Sequence, residues 1–369
     1  MDKKILLMYI TNVSGHHSAT MAIERAINAC QPHPPVLNID GFGYSYPVME
    51  KITHAIYMGV IKKIPFIWDF LYDNPRVSSK INSLKESVYR KNRGRIKELI
   101  ESENCRVAVC SQAFPCGMIA DYKKHCSDGI KLIAVVTDFI PHSYWVYDEI
   151  DYYVVGSQDA KVNLLSKGVP EQKIKLYGIP IDPKFAQKLD KEIVAQELGI
   201  GLDRPVVLIM GGGHGLGPIS KLIRAIDASG LSVNILVVTG INKKLFSQLK
   251  KRKFKNRTYI YGYIDYVDKL MTIADILVTK PGGVTTAEAL AKKLPMIIVK
   301  PLPGQEQNNT NFLLKQGVIV KAEGINGAVG NLVSLLNNPD KMQPLKDNIA
   351  QLALSSSSSR IAELALSLC

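Results

Sequence analysis

The sequence predicts an α/β protein of two similar halves, each a parallel sheet layered between helices. Three observations carry that expectation. The chain has 369 residues, more than one ordinary domain, and 46% hydrophobic content with 27 glycines suits a two-domain α/β protein with glycine turns. Each half opens alike, with an apolar strand, a glycine-bearing turn and then a helix: Ile5 to Ile10 leads into Ser14-Gly15-His16-His17-Ser18, and Val206 to Met210 leads into a loop of five glycines between Gly211 and Gly217. The stretch from Asp275 to Asn309 reads as a βαβ unit, with strands at Ile276 to Thr279 and Met296 to Val299 around a glycine turn and one helix.

In the first half, Ala22, Ile23, Ala26 and Ile27 keep an apolar stripe on the leading helix. Leu37 to Ile39 begin the next strand, which carries Asp40 and Gly41 toward the carboxyl edge of a parallel sheet. The dinucleotide fingerprint Gly-x-Gly-x-x-Gly is absent from the leading turn, which counts against an oxidoreductase. Residues 44 to 99 do not read as a simple crossover. Met49 to Tyr72 are unusually apolar and aromatic, with Phe66, Trp68 and Tyr72 prominent, and from Arg76 to Lys97 eight basic residues, among them Arg90, Lys91, Arg93 and Arg95, stand against Glu86 alone. Rings beside cations suit a surface that sits in anionic lipid headgroups; the alternative is a buried helix followed by a solvated basic one. Nucleic acid is not expected, because no recognised binding motif accompanies the charge.

Two further strands, Val107 to Ser111 and Leu132 to Thr137, follow, and the second delivers Asp138 to a strand end ahead of His142 and Trp145. Tyr153 to Gly156 form another. The chain turns polar from Lys184 to Glu197, which gives a first domain at 1–185, a linker at 186–203, a second domain at 204–346 and a terminal helical segment at 347–369 that could pack back on the first domain.

In the second half Pro218 stands near the first position of a helix, where its missing N–H costs nothing. Strands at Ile235 to Thr239 and Tyr259 to Gly262 end at Gly240 and at Tyr263-Ile264-Asp265, and Lys250 to Lys255 read as a basic, solvated turn. Gly282 and Gly283 can bring unpaired N–H groups at a helix start close to an anion. Thr285 and Glu288 have the spacing of a capping box, yet Glu288 could instead accept two hydrogen bonds from a ribose diol. Gln305, Glu306, Gln307, Asn308 and Asn309 concentrate hydroxyl-binding side chains just past a strand end. Several turns meeting at one cleft imply a ligand that bridges the halves, with a nucleotide diphosphate on the second and an acceptor at the first. Helix N-termini would then stabilise the charge growing on a diphosphate leaving group.

Three histidines stand at informative places. His16 follows a glycine at a strand-to-helix turn, where it is either a base for an alcohol proton or a capping residue; His142 either meets a headgroup or braces its loop; His214 faces phosphate rather than metal. Six cysteines show no zinc-ligand spacing and read as free thiols, so no metal is expected. The apolar run after Lys3 and Lys4 is too short for a signal peptide or a spanning helix, so a cytoplasmic protein is expected. The formal charge of +13 asks for a polyanionic neighbour.

Taken together, Gly15-His16-x-Ser18-Ala19, Thr137-Asp138-Phe139-x-x-His142-x-x-Trp145, the loop from Gly211 to Pro218 and Lys280-Pro281-Gly282-Gly283-Val284-Thr285-Thr286-Ala287-Glu288 resemble the monogalactosyldiacylglycerol synthases and bacterial processive diacylglycerol glucosyltransferases, relatives of the peptidoglycan N-acetylglucosaminyltransferase. The resemblance covers nearly the whole chain. It implies the GT-B fold, in which two Rossmann-like α/β/α domains enclose a cleft, with the amino-terminal domain meeting membrane and diacylglycerol and the other binding a UDP-sugar. By position it implies Glu288 at the uridine ribose, Gly282, Gly283, Val284 and Thr285 at the pyrophosphate together with Gly213 and His214, and Ile264 at uracil. Gln305, Glu306, Gln307 and Asn308 would face the donor sugar, and Gly15, His142 and Trp145 the acceptor or headgroup. The implied reaction is inverting transfer of glucose or galactose to the 3-hydroxyl of diacylglycerol, with His16 as first choice of base and Asp138 as second.

The resemblance further implies no tightly bound cofactor, activation by anionic phospholipid, a peripheral place on the cytoplasmic face of the membrane and no obligate protein partner. The competing readings are a UDP-sugar 2-epimerase, transfer to another lipid such as a polyprenyl-linked sugar or sterol, and a non-catalytic lipid-binding protein.

Overall fold

A computed structural model describes residues 2–45, 75–126 and 129–369, without the side chains at positions 42, 45, 75–85 and 143. Phe66, Trp68 and Tyr72 lie outside the described residues. The chain divides into two compact units, the first formed by Met1–Pro183, Leu302–Gln305 and Ser356–Cys369, the second by Lys184–Pro301 and Glu306–Ser355.

The first unit holds a six-stranded sheet of β1 (Lys4–Tyr9), β2 (Val36–Asp40), β3 (Cys105–Cys110), β4 (Lys131–Val135), β5 (Tyr152–Val155) and β6 (Ile174–Leu176), in the order β2-β1-β3-β4-β5-β6 and parallel throughout. Strands buried on both faces explain the continuous apolar runs in the sequence. Alternate residues then divide between two cores: Leu6 and Met8 join the side of Trp145 and Tyr153, whereas Ile5 and Leu7 join Ile23, Ile27 and the terminal residues Ile361 and Ala362. The helix Pro75–Ser102 turns Tyr89, Ile96, Leu99 and Ile100 inward and leaves Arg90, Lys91 and Arg95 exposed.

The terminal helix Ser357–Ser367 packs on the helix Gly15–Asn28. The serine run that interrupts the helical pattern does local work here. Ser357 Oγ donates to the Ile179 carbonyl at 2.8 Å and Ser358 Oγ to that of Ile181 at 2.5 Å, both fully buried and satisfied.

The second unit holds β7 (Val206–Met210), β8 (Asn234–Val238), β9 (Thr258–Tyr261), β10 (Ile276–Thr279), β11 (Met296–Val299) and β12 (Ile319–Ala322), ordered β12-β11-β10-β7-β8-β9 and parallel. The strand order reverses at β1/β3 in the first sheet and at β7/β10 in the second. Loops at the carboxyl ends of such strands diverge and leave a crevice, where ligands of open α/β sheets bind.

Two loops of the second unit interlock through glycine. Gly215 and Gly240 both have φ of +56°. A Cβ on Gly240 would strike the Gly213 carbonyl oxygen, and one on Gly215 would strike that of Thr239. The close approach lets the Ile241 N–H donate to Gly213 O at 2.9 Å, which fixes the loop that follows β7. Gly240→Ala is therefore expected to lower stability by about 2 kcal/mol or more, from the left-handed backbone plus the clash. Thermal unfolding checks this, and a wild-type melt would show the loop indifferent to that contact.

Candidate active site

His16 is the second residue of the helix Gly15–Asn28, whose N-cap is Ser14; the Ser14 hydroxyl accepts from the His17 N–H at 3.1 Å, so His16 itself does no capping. Its Nδ1 lies 2.8 Å from the Ser111 carbonyl at the end of β3 and 3.0 Å from the Thr137 hydroxyl beyond β4. A carbonyl only accepts, so Nδ1 carries the proton and Nε2 keeps its lone pair. Burial pushes the imidazole below its ordinary value of 6.5, against the opposing pull of the Ser111 carbonyl. A half-buried neutral imidazole of fixed tautomer, at the β1/β3 switch point, can accept a proton from an alcohol near pH 7.

Thr137 places its neighbour Asp138 on the same sheet edge, half-buried. Gln305, expected in the sugar cluster, donates from Nε2 to Asp138 Oδ2 at 2.9 Å, and the segment Leu302–Gln305 belongs to the first unit. Asp40, at the end of β2, braces backbone: it accepts from the N–H groups of Thr11 and Gly43, each at 3.1 Å. His142 Nδ1 accepts from the Tyr144 N–H at 3.2 Å, so this ring braces its own loop. Trp145, expected at the acceptor, is 2% exposed and packs in the core, because the short turn Ser143–Trp145 folds its ring inward. Arg93, expected at the membrane, makes a bidentate pair with Asp121 at 2.8 and 3.0 Å, while Arg90, Lys91 and Arg95 stay exposed. Gly15 is exposed at the helix start.

In the second unit the loop Gly211 to Gly217, with half-buried His214, follows β7, and the turn Pro281-Gly282-Gly283 follows β10, its neighbour at the switch point. The helix Gly283–Ala291 starts three residues before the capping-box register, with Gly282 as its N-cap and no side-chain cap. Pro281 and the extended Gly282 end the strand early, so Thr285 already sits inside the first turn and Glu288 lies a turn further on, with no N–H of the helix start to hold. The first-turn N–H groups of Gly283, Val284 and Thr285 are thereby left for an anion.

Glu288 is half-buried, and burial pushes its carboxyl up to about 8; Lys184 lowers it and Asp268 raises it, both less than burial does. Ile264 is half-buried in the loop after β9. Among the sugar-cluster residues, Glu306 pairs with Lys280 at 2.6 Å, the two side chains only 18% and 16% exposed, and Asn309 is buried with its amide donating to the Pro281 carbonyl at 3.1 Å. Gln307 bonds Asn311 on the helix surface and Asn308 is exposed. Ser111, Thr137 and Lys280 were not among the expected site residues; Thr137 and Lys280 adjoin expected ones, while Ser111 carried no signal beyond ending a strand. Among the described residues no cluster of three His, Cys, Asp or Glu side chains gathers that could hold a metal ion.

Two parallel α/β units, one carrying a tautomer-fixed histidine and the other a pair of glycine turns beside its switch point, make the GT-B architecture of nucleotide-sugar glycosyltransferases. The family model for monogalactosyldiacylglycerol (MGDG) synthase matches residues 16–181, and that for glycosyl transferases group 1 matches residues 190–352. A processive diacylglycerol beta-glucosyltransferase of Bacillus licheniformis is 30% identical over 318 residues, 85% of this chain and 82% of that one. The same enzyme of Bacillus subtilis is 28% identical over 366 residues, 98% and 94% of the two chains. The chain belongs to the family of monogalactosyldiacylglycerol synthases and processive diacylglycerol glucosyltransferases. A crystal structure of UDP-GlcNAc 2-epimerase from Neisseria meningitidis bound to UDP-GlcNAc superposes with a TM-score of 0.63 at 14% identity, over 99% of this chain and 100% of that one, which is a likeness of fold alone.

Proposed function

We propose that this chain transfers glucose, with inversion, from UDP-glucose to the 3-hydroxyl of 1,2-diacylglycerol, giving a β-glucosyldiacylglycerol. The observation that carries the reading is the match to diacylglycerol beta-glucosyltransferases along 98% of the chain. His16 Nε2 takes the acceptor hydroxyl's proton as that oxygen attacks the anomeric carbon; the bond to the β-phosphate breaks and UDP leaves with the electron pair. Support for His16 as base is its held tautomer and neutral ring. Asp138 and Thr137 act as positioning residues. Developing negative charge on the leaving diphosphate is met by the N–H groups of Gly283, Val284 and Thr285 and by the loop around Gly213 and His214, in a preorganised arrangement. Glu288 accepts both ribose hydroxyls, Ile264 contacts the base through its backbone, and Gln307 and Asn308 face the sugar.

No helix among the described residues is long and apolar enough to cross a membrane. We place the chain peripherally on the cytoplasmic face, with Arg90, Lys91 and Arg95 toward anionic lipid. The purified protein given UDP-glucose or UDP-galactose, with and without diacylglycerol, tests the assignment by thin-layer chromatography. Glucosyldiacylglycerol formed only with both substrates is expected. Conversion of UDP-N-acetylglucosamine alone, without lipid, would make it an epimerase instead.

A further inference from the structure

On the second unit, at the amino-terminal edge of its sheet and so opposite the β7/β10 crevice, a groove of about 330 Å³ opens between the helix Ile219–Ala228 and the loop before β9. Its walls are Arg224, Arg252, Lys253 and Lys255, all exposed, and its floor is Phe254, which packs against the unit's core. The groove's carboxylate, Asp227, is occupied with loop backbone, accepting from the Asn256 N–H at 2.8 Å. Four cations therefore face one carboxylate. The surrounding sequence extends the field: Lys243 to Arg257 contains eight Lys and Arg and no Asp or Glu, and of these Arg257 pairs with Asp203 at 2.8 Å. Concentrating this much like charge without acids nearby costs self-repulsion, which a polyanion relieves.

We propose that this groove is a second anchoring site for anionic phospholipid headgroups, on the unit that binds the nucleotide sugar. Cationic walls hold the phosphate, and the apolar floor suits the glycerol and acyl carbons that follow it. A nucleic acid would ask for aromatic faces free to stack on bases, whereas Phe254 is held against the core. The choice of lipid as occupant rests on the lipid-modifying function proposed above; the groove's charge does not.

The test uses vesicles of phosphatidylglycerol in phosphatidylcholine and the variant R252S/K253S/K255S. Each cation lost near an anionic surface is expected to weaken binding about fivefold, so the triple variant should bind about 100-fold more weakly. The charge-conserving R252K/K253R/K255R should bind as wild type does, and K188S/K341S/K346S, which removes three exposed cations elsewhere on the same unit, should lose far less. Equal losses in the two serine variants, or wild-type affinity in the groove variant, would overturn the site. Displacement from vesicles by millimolar inorganic phosphate at constant ionic strength would show a small-anion pocket instead, and tighter binding to a single-stranded oligonucleotide than to vesicles would show a nucleic-acid surface. Transfer to detergent-dispersed diacylglycerol should be unchanged in the groove variant. A wild type that binds vesicles through the groove and makes no glycolipid would overturn the proposed reaction while leaving the groove's role standing.

Discussion

His16→Ala is expected to lower kcat by about 10²-fold or more while leaving the donor's KM within about twofold, the pattern of a lost general base rather than a lost binding contact. The geometry makes the expectation specific. Ser111 O fixes the proton on Nδ1, so the nitrogen that keeps a lone pair is Nε2, and His16→Asn, which could keep a bond to Ser111, should rescue folding without rescuing rate. Burial holds the imidazole below 6.5, so the wild type should keep full activity at neutral pH and lose it as pH falls through that lowered value, and the variant should lack this acid limb. Stability carries the same sign. The unfolded chain protonates this histidine at a higher pH than the folded one does, so its contribution is present above 6.5 and declines as the pH drops below. A His16→Ala enzyme with a near-wild-type rate, beside an Asp138→Asn enzyme that is severely slowed, would move the base to Asp138.

Glu288→Ala is expected to raise the donor's KM and the dissociation constant of UDP by about tenfold or more, the loss of a charge-assisted pair of hydrogen bonds. The helix begins at Gly282 without help from Glu288, so no stability loss from a missing cap should accompany the change. The carboxyl, raised to about 8 from 4.5, gives a second signature. On the proposed placement two ribose hydroxyls would donate to it and favour the ionised form, so UDP binding below pH 8 should release a proton, visible as a dependence of calorimetric heat on the buffer's ionisation enthalpy. In the free protein the sign is opposite to the usual acid case. The proton held by the folded state favours folding fully below pH 4.5, and that contribution is lost as pH rises through about 8. Glu288→Gln should abolish the proton release. Equal UDP affinity in wild type and Glu288→Ala would remove the residue from the site.

The strands and glycine turns were legible because a parallel strand buried on both faces is a continuous apolar run, and because glycine is needed where loops such as those at Gly213 and Gly240 touch backbone to backbone. β12 was not, since Ile319–Ala322 is a four-residue edge strand with Val320 and Lys321 only half-buried, which weakens both length and pattern. The place of His16 at a strand-to-helix turn was legible. The long-range partners were not: the Ser111 carbonyl that fixes the His16 tautomer is 95 residues away, and Gln305 reaches Asp138 across 167. Trp145 shows the limit from the other side, because an aromatic beside His142 reads equally well as a ligand contact or as core, and only packing decides. The capping-box reading failed because Pro281 and Gly282 set the helix start before Thr285 could.

The most direct test of the whole account is the anomeric configuration of the isolated product. Wild-type protein, UDP-glucose and detergent-dispersed 1,2-diacylglycerol should yield a glycolipid whose anomeric proton shows, by nuclear magnetic resonance, the large coupling of a β-glucoside, with one UDP released per sugar transferred. Single displacement driven by a base at His16 permits no other outcome from an α-linked donor. An α-glucoside would require a double displacement or a front-face path, and free glucose without glycolipid would mean that water, not the lipid hydroxyl, is the acceptor; either result contradicts the assignment.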